Sequence, residues 1–165
     1  MSDLTFQSYS DTYLSAVCDT YNYYVEHTTV TYDLYRYTTD QMKELIEPLS
    51  DLYRSYVVLV DGQYAGYVLL TQHKKRPAFN VTAEVSIYLD QAFIGQGIGR
   101  KAAEFIEQVA RELNFHSLLA AICTENTGSV ALFDKLGYKQ VAYYQEIARK
   151  FDRWLNSVSY QKILA

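Results

Sequence analysis

The residues with the clearest chemical potential lie in Ile94-Gly95-Gln96-Gly97-Ile98-Gly99, followed at once by Arg100 and Lys101. Glycine lets the backbone approach a ligand closely and adopt positive φ, so that successive N–H groups converge on an anion. The loop opens a helical pattern, and a helix N-terminus adds unpaired donors and a partial positive charge. Cations in a first turn oppose the helix dipole unless an anion is also present. The segment therefore reads as a phosphate cradle. It is not a P-loop, because Gly-x-x-x-x-Gly-Lys-Ser/Thr does not occur in the chain. Gly97, Gly99 and Ala102 do satisfy the dinucleotide fingerprint Gly-x-Gly-x-x-Gly/Ala. That fingerprint belongs on the first strand of a repeated βαβ unit. Here roughly half the chain precedes it, and too little follows to build the remaining parallel strands.

Other residues carry weaker signals. Glu84 falls on the less apolar face of an alternating segment. A carboxylate there can serve as a general base, or it can be a structural partner for a neighbouring cation. Arg76 has the planar fork that grips a carboxylate bidentately, but it also belongs to the basic run Lys74-Lys75-Arg76, which suits a solvated loop. Asn126 is a good helix N-cap in its own right. His27, His73 and His116 have no partnered spacing and receive no chemical role. Cys18 and Cys123 fit no metal or redox spacing and read as buried thiols, so no metal site is expected.

The elements that must position these groups follow from periodicity. Residues 3–9 alternate as a first strand, and Ser10 or Asp11 caps a helix carrying Leu14, Val17, Cys18, Tyr21 and Val25. After a tyrosine-rich loop, Thr38-Thr39-Asp40 opens a second helix that ends near Pro48. Asp61-Gly62 joins two apolar runs, Tyr56–Val60 and Tyr64–Leu70, as a hairpin. Val81–Leu89 alternates as a strand, and the glycine loop leads into a helix with Ile98, Ala102, Phe105, Ile106, Val109 and Leu113 on one stripe. Ser117–Cys123 reads as a buried strand, and Asn126–Leu136 as a short helix closed by Gly137. Two last strands, near Tyr138–Ile147 and Asn156–Ile163, flank Arg149-Lys150-Phe151-Asp152-Arg153-Trp154, with Trp154 expected to pack beneath them. The result is one α+β or mixed α/β domain over residues 1–165.

Bulk properties agree with such a domain and exclude some functions. The 165 residues are 49% apolar and 21% charged, ordinary values for a globular fold. A net charge of −4 argues against nucleic acid as a partner. No apolar run approaches the roughly 20 residues of a membrane span, and the start has no secretory pattern, so a cytoplasmic location is expected. Seventeen tyrosines, eight of them before residue 38, suit amphipathic ring packing or an aromatic-lined pocket in the N-terminal half.

The order strand, alternating-glycine loop, helix, strand and Asn-led short helix resembles the GCN5-related N-acetyltransferase (GNAT) superfamily. Within it, the chain looks most similar to phosphinothricin and methionine-sulfone acetyltransferases. The likeness runs from about Asn22 to Gln161, through Thr29-Val30-Thr31-Tyr32, Lys74–Glu84, Ser86–Leu89, the glycine loop, Glu125-Asn126, Lys135–Tyr138 and Lys150-Phe151 with Trp154. The resemblance implies a mixed, mostly antiparallel twisted sheet of about seven strands with about four helices. It also implies acetyl-CoA as co-substrate, an α-amine of a small amino acid or analogue as acceptor, direct transfer, and a homodimer. Ile87, Tyr88 and Leu89 match the strand that pairs with the pantetheine arm; Ile94, Gly95, Gln96, Gly97, Ile98, Gly99 and Arg100 match the pyrophosphate loop and the first helical turn. Asn126 matches the asparagine that binds the pantetheine or acetyl end, Ser129 a further cofactor-binding position, Glu84 the general base, and Tyr32, Arg76 and Phe79 the amino-acid pocket. Two positions depart from the superfamily. Ile94 stands where Gln or Arg usually contacts phosphate, and Phe133 stands where a tyrosine is thought to protonate the leaving thiolate. Acetylation of another amine, such as a polyamine or a protein N-terminus, and a non-catalytic acetyl-CoA-binding role remain the alternatives.

Overall fold

The computed structural model describes residues 2–165. Among them, seven strands form one sheet: β1 (Leu4–Ser8), β2 (Arg54–Val60), β3 (Gln63–Gln72), β4 (Thr82–Leu89), β5 (Ser117–Cys123), β6 (Lys139–Lys150) and β7 (Arg153–Ile163). Their order is β1-β2-β3-β4-β5-β7-β6. Every neighbouring pair is antiparallel except β4 and β5. A parallel pair needs a crossover, and the helix that opens at the glycine loop supplies it. The α-helices are α1 (Leu14–His27), α2 (Thr39–Ile46), α3 (Ile98–Glu112) and α4 (Thr127–Lys135). None is long and apolar enough to cross a membrane.

Strand alternation divides the interior into two layers. Val58, Val60, Val68, Leu70, Ala83, Val85, Leu118 and Ala120 face α3 and α4, meeting Ala102, Ile106 and Val109 of the α3 stripe. Their neighbours Val57, Leu59, Tyr67 and Leu69 face the other way, onto Val17, Tyr21 and Val25 of α1 and Met42 and Ile46 of α2. Both sides of β2 and β3 are thus covered, so these strands read as continuous apolar runs rather than simple alternation. At α2 the side chain of Thr38 accepts from Gln41 N, and Gln41 reaches back to Thr38 N, a complete capping box.

Three expectations are corrected. A single 3-10 turn, Asp11–Tyr13, comes between Ser10 and α1, so Ser10 makes no side-chain cap bond. The segment 149–154 is not a connection between strands: β6 and β7 run through it to a two-residue turn. Phe151 and Asp152 both take left-handed angles there (φ 53° and 58°), the geometry of a mirror-image hairpin turn that glycine or asparagine usually announces. Trp154 does not pack under the strands. It is 58% exposed, with the Arg149 guanidinium 5.1 Å from its ring centre.

Candidate active site

The parallel ladder between β4 and β5 is short. It pairs Thr82 with Ser117, Ala83 with Leu118 and Glu84 with Leu119, and goes no further. Beyond Glu84, β4 continues along β3 to Leu89, while β5 continues along β7 to Cys123. Each strand is anchored on its outer side, and their inner edges part. Backbone donors and acceptors on those edges lack a strand partner, which suits an extended ligand bound by main-chain pairing. A cavity of about 350 Å³ fills the gap, walled by Val85–Leu89 on one side and Ala120–Ile122 on the other. Its mouth lies at Ile94, Gly95 and Gly97–Gly99, and Asn126, Ser129, Leu132 and Phe133 complete the wall.

At the mouth, Gly95 and Gly97 have φ of 82° and 77°. A Cβ at either position would meet open space. The backbone angle, rather than crowding, therefore calls for glycine there. Gly97 is the N-cap of α3, so the first amides of that helix face the cavity mouth. Ile94 is exposed and offers no polar group. Two expected residues do not line the cavity: Gln96 donates to Ala92 O at 3.2 Å, and Arg100 donates to Glu104 at 3.0 Å on the exposed side of α3. Asn126 caps α4, its Oδ1 accepting from Ser129 N at 3.3 Å and its Nδ2 donating to Ser129 Oγ at 3.0 Å. Phe133 is buried edge-on to Tyr138.

Tyr24 also lines the cavity, donating to Leu89 O at 2.6 Å. Burial pushes its hydroxyl up to about 12, so it stays a neutral donor that fixes the end of β4. Its position one turn from Tyr21 on α1 marks it as a helix-face residue, but nothing local places it against β4.

Glu84 stands where the ladder ends, on the face of the sheet that carries α1 and α2. Directly opposed residues share a face, so Leu119, Ala121 and Cys123 of β5 lie on that side with Gln161, Ser159 and Ser157 of β7. The helices α1 and α2 cover β2 to β4 but leave this region open; Ala121 is exposed and Leu119 and Ser159 are half-buried. An open patch, floored mostly by small side chains, thus lies beside Glu84. Tyr32 borders it, its hydroxyl near Ser157 and Cys123 and pushed up by burial. The loop carrying Tyr32 is tied down by Thr29, which donates to Glu125 at 2.8 Å, and by the buried Lys150, which donates to Thr31 O at 2.9 Å. Arg153 grips Glu125 through Nε at 2.8 Å and Nη2 at 2.7 Å, and holds its carboxyl down at about 2. Burial lowers the Lys150 ammonium, partly offset by Asp33.

The β3–β4 connection meets the patch at its other end. Phe79 lies in a 3-10 turn (Pro77–Phe79) with its ring edge-on to His73 at 5.7 Å. His73 in turn has Nδ1 2.8 Å from Oε2 of Glu84. Sequence spacing gave this histidine no partner, and β-strand register supplies one. Arg76 is exposed at the start of the same turn and makes no ion pair among the described residues.

A parted parallel pair with a glycine-led helix at its mouth makes a cleft for an extended ligand with an anionic end, and comparison with known proteins gives the family. Residues 13–159 match the family described as "Acetyltransferase (GNAT) domain". The chain belongs to the GNAT acetyltransferase family and is an acyltransferase. It is 28% identical to a phosphinothricin N-acetyltransferase of Streptomyces coelicolor, over 92% of this chain and 91% of that protein. It is 30% identical to an L-methionine sulfoximine/L-methionine sulfone acetyltransferase of Salmonella typhimurium, over 86% and 84%. Among solved structures, yncA from Salmonella typhimurium with its cofactor acetyl-CoA superposes with a TM-score of 0.91 at 28% identity, covering 98% of this chain and 94% of that one.

Proposed function

We propose that the protein acetylates the α-amine of a small amino acid, or of a methionine sulfone, methionine sulfoximine or phosphinothricin type of analogue, using acetyl-CoA. The observation that carries this reading is the early end of the β4–β5 ladder: the cleft it opens runs from the Gly95–Gly97 loop to Val85, the residue next to Glu84 at the last rung. The pyrophosphate of acetyl-CoA would lie on the amides at the start of α3, and its pantetheine arm between Ser86–Leu89 and Ala120–Ile122. The structure with acetyl-CoA among the similar folds, and the amino-acid analogues named for the relatives, support the two substrates.

In this scheme the amine rests on the open patch between Tyr32 and Phe79. An ammonium has no lone pair for attack, so Glu84 accepts one proton, directly or through water. The nitrogen lone pair then forms a bond to the thioester carbonyl carbon, the C–S bond breaks with its electrons on sulfur, and the now cationic nitrogen loses its second proton to water or to the departing thiolate. Phe133 has no proton to give, so the CoA thiolate leaves unassisted or with a proton from water; a thiol pKa near cysteine's, about 8.5, permits that. Neither cysteine is placed for an acyl-enzyme: Cys123 is buried beneath Tyr32, and Cys18 lies between α1 and the Tyr37 backbone. The exposed Arg76 has a free guanidinium that can take the substrate carboxylate.

The test is thiol release from acetyl-CoA with a panel of amines. Turnover with methionine sulfone, methionine sulfoximine or phosphinothricin is expected; turnover confined to polyamines or peptide N-termini would overturn the substrate assignment. Glu84→Gln should lower kcat by about 100-fold, the lower end of what a positioned base contributes, and an unchanged kcat would remove Glu84 from the chemistry.

A further inference from the structure

Only one of the two Glu84 carboxylate oxygens is hydrogen-bonded within the protein, and the reason lies in the strand register. Thr71 of β3 opposes Glu84 of β4. His73 is two residues beyond Thr71 and therefore on the same face, diagonal to Glu84, within reach for a long side chain. Its Nδ1 lies 2.8 Å from Oε2, while Oε1 has no hydrogen-bond partner among the described residues. An ionised carboxylate carries no hydrogen, so the shared proton belongs to Nδ1, which donates. The imidazole also meets Phe79, the two rings steeply inclined with centres 5.7 Å apart, and Phe79 in turn lies 5.6 Å from the Lys74 ammonium. The ring is held by both contacts.

We propose that His73 is a positioning residue for the proton acceptor: its Nδ1–H locks Oε2 of Glu84 and leaves Oε1 aimed at the amine. This rests on the reading of Glu84 as the base. A glutamate half-open to solvent on a strand would otherwise sample several rotamers, and proton transfer needs the acceptor within hydrogen-bond reach at the moment of attack. A charge-assisted hydrogen bond removes that freedom. A pair serving stability alone has no need to stand at the last rung of the β4–β5 ladder, beside an open floor of Leu119 and Ala121. His73 itself neither takes nor delivers a proton in this scheme. It also gives Phe79 a role distinct from lining the pocket, that of backing the imidazole.

Four proteins decide the matter: His73→Phe, His73→Asn, Glu84→Gln and the double variant His73→Phe/Glu84→Gln. Phenylalanine keeps the ring against Phe79 and deletes the donor, whereas the asparagine amide reaches the position of Nδ1 and restores it. Rates are read by thiol release with methionine sulfone, or with the panel amine turned over fastest, and folding is checked by thermal melting. With melting temperatures kept, His73→Phe should lower kcat about 10-fold, the worth of a hydrogen bond to a charged group. The KM for acetyl-CoA should stay within about 2-fold, because the cofactor cleft is untouched. His73→Asn should recover most of the rate, and in the Glu84→Gln background His73→Phe should have no further effect. Equal losses in the two His73 variants, or a fully active His73→Phe beside an impaired Glu84→Gln, would overturn the role of His73 while leaving Glu84 as base. A fully active Glu84→Gln would overturn the base and this inference together.

Discussion

Replacing Gly66 by alanine perturbs the cofactor cleft from behind, through a strand that never touches it. Gly66 sits at the bulge where the β2–β3 register slips, opposite Leu89 of β4. With φ of 152°, its α-carbon turns toward the neighbouring strand, and an added Cβ would lie 2.4 Å from Tyr88 O and 2.8 Å from Leu89 Cα. Both obstacles are backbone, so no rotamer change relieves them and the strands must part. Overpacking of this kind costs about 1–3 kcal/mol, and weakening one adjoining ladder bond adds about 1 kcal/mol. The sum is near 3 kcal/mol, or a fall in Tm of about 6–12 °C for a chain of this length. Gly62→Ala is the matched control: its φ of 79° is also left-handed, but the new Cβ meets nothing within 4 Å. That change should cost only about 1–2 kcal/mol. Melting followed by circular dichroism measures the difference. Because Tyr88 and Leu89 wall the cavity and Tyr24 hydrogen-bonds Leu89 O, Gly66→Ala should also raise the KM for acetyl-CoA. Equal melting of the two variants, with an unchanged KM, would refute the close-packing argument.

Two further outcomes are expected. Burial raises the hydroxyls of Tyr21, Tyr64, Tyr67 and Tyr88 far above the ordinary tyrosine value, and that of Tyr24 to about 12. Below pH 10 both states bind these protons; above it the unfolded chain loses them first, so stability falls as pH rises, by about 1.4 kcal/mol per pH unit for each tyrosine kept neutral. Urea unfolding at pH 8 to 11 checks this, with the buried tyrosines adding their tyrosinate absorbance at 295 nm only on unfolding, above that of exposed rings such as Tyr35; stability flat above pH 10 would contradict it. At the other end of the site, Arg153→Leu should change Tm by no more than about 2–4 °C, since an exposed ion pair is worth about 1 kcal/mol or less. It should raise the KM for the amine, because Glu125 links Arg153 to Thr29 in the loop that carries Tyr32. A large loss of Tm with an unchanged KM would assign the clamp to stability alone.

Much of this molecule is written locally in its chain. Alternation and 3.6-residue spacing specify the strands and helices because they depend on neighbours a few positions apart, and Asn126, Thr38 and the Gly95–Gly97 loop act through backbone within one turn. The family resemblance is legible for the same reason, as it lies in contiguous motifs. Local pattern failed where a contact is remote or a residue breaks its usual habit. Phe151 and Asp152 form a tight turn without glycine because the paired strands on either side over-determine it. Trp154 has the size of an anchor, but it lies at the end of β7 that pairs with β6 alone, beyond the last β5 partner at Ser157, and its ring is exposed. What the sequence by itself determined was the set of elements, the glycine-led mouth and the candidate carboxylate. Only the tertiary structure decided that β4 and β5 part after Glu84, that Gln96 and Arg100 turn away from the cavity, and that His73 stands against Glu84. Those outcomes depend on strand register and on which strand lies beside which, and residues 11 positions apart become neighbours only once the sheet has set both.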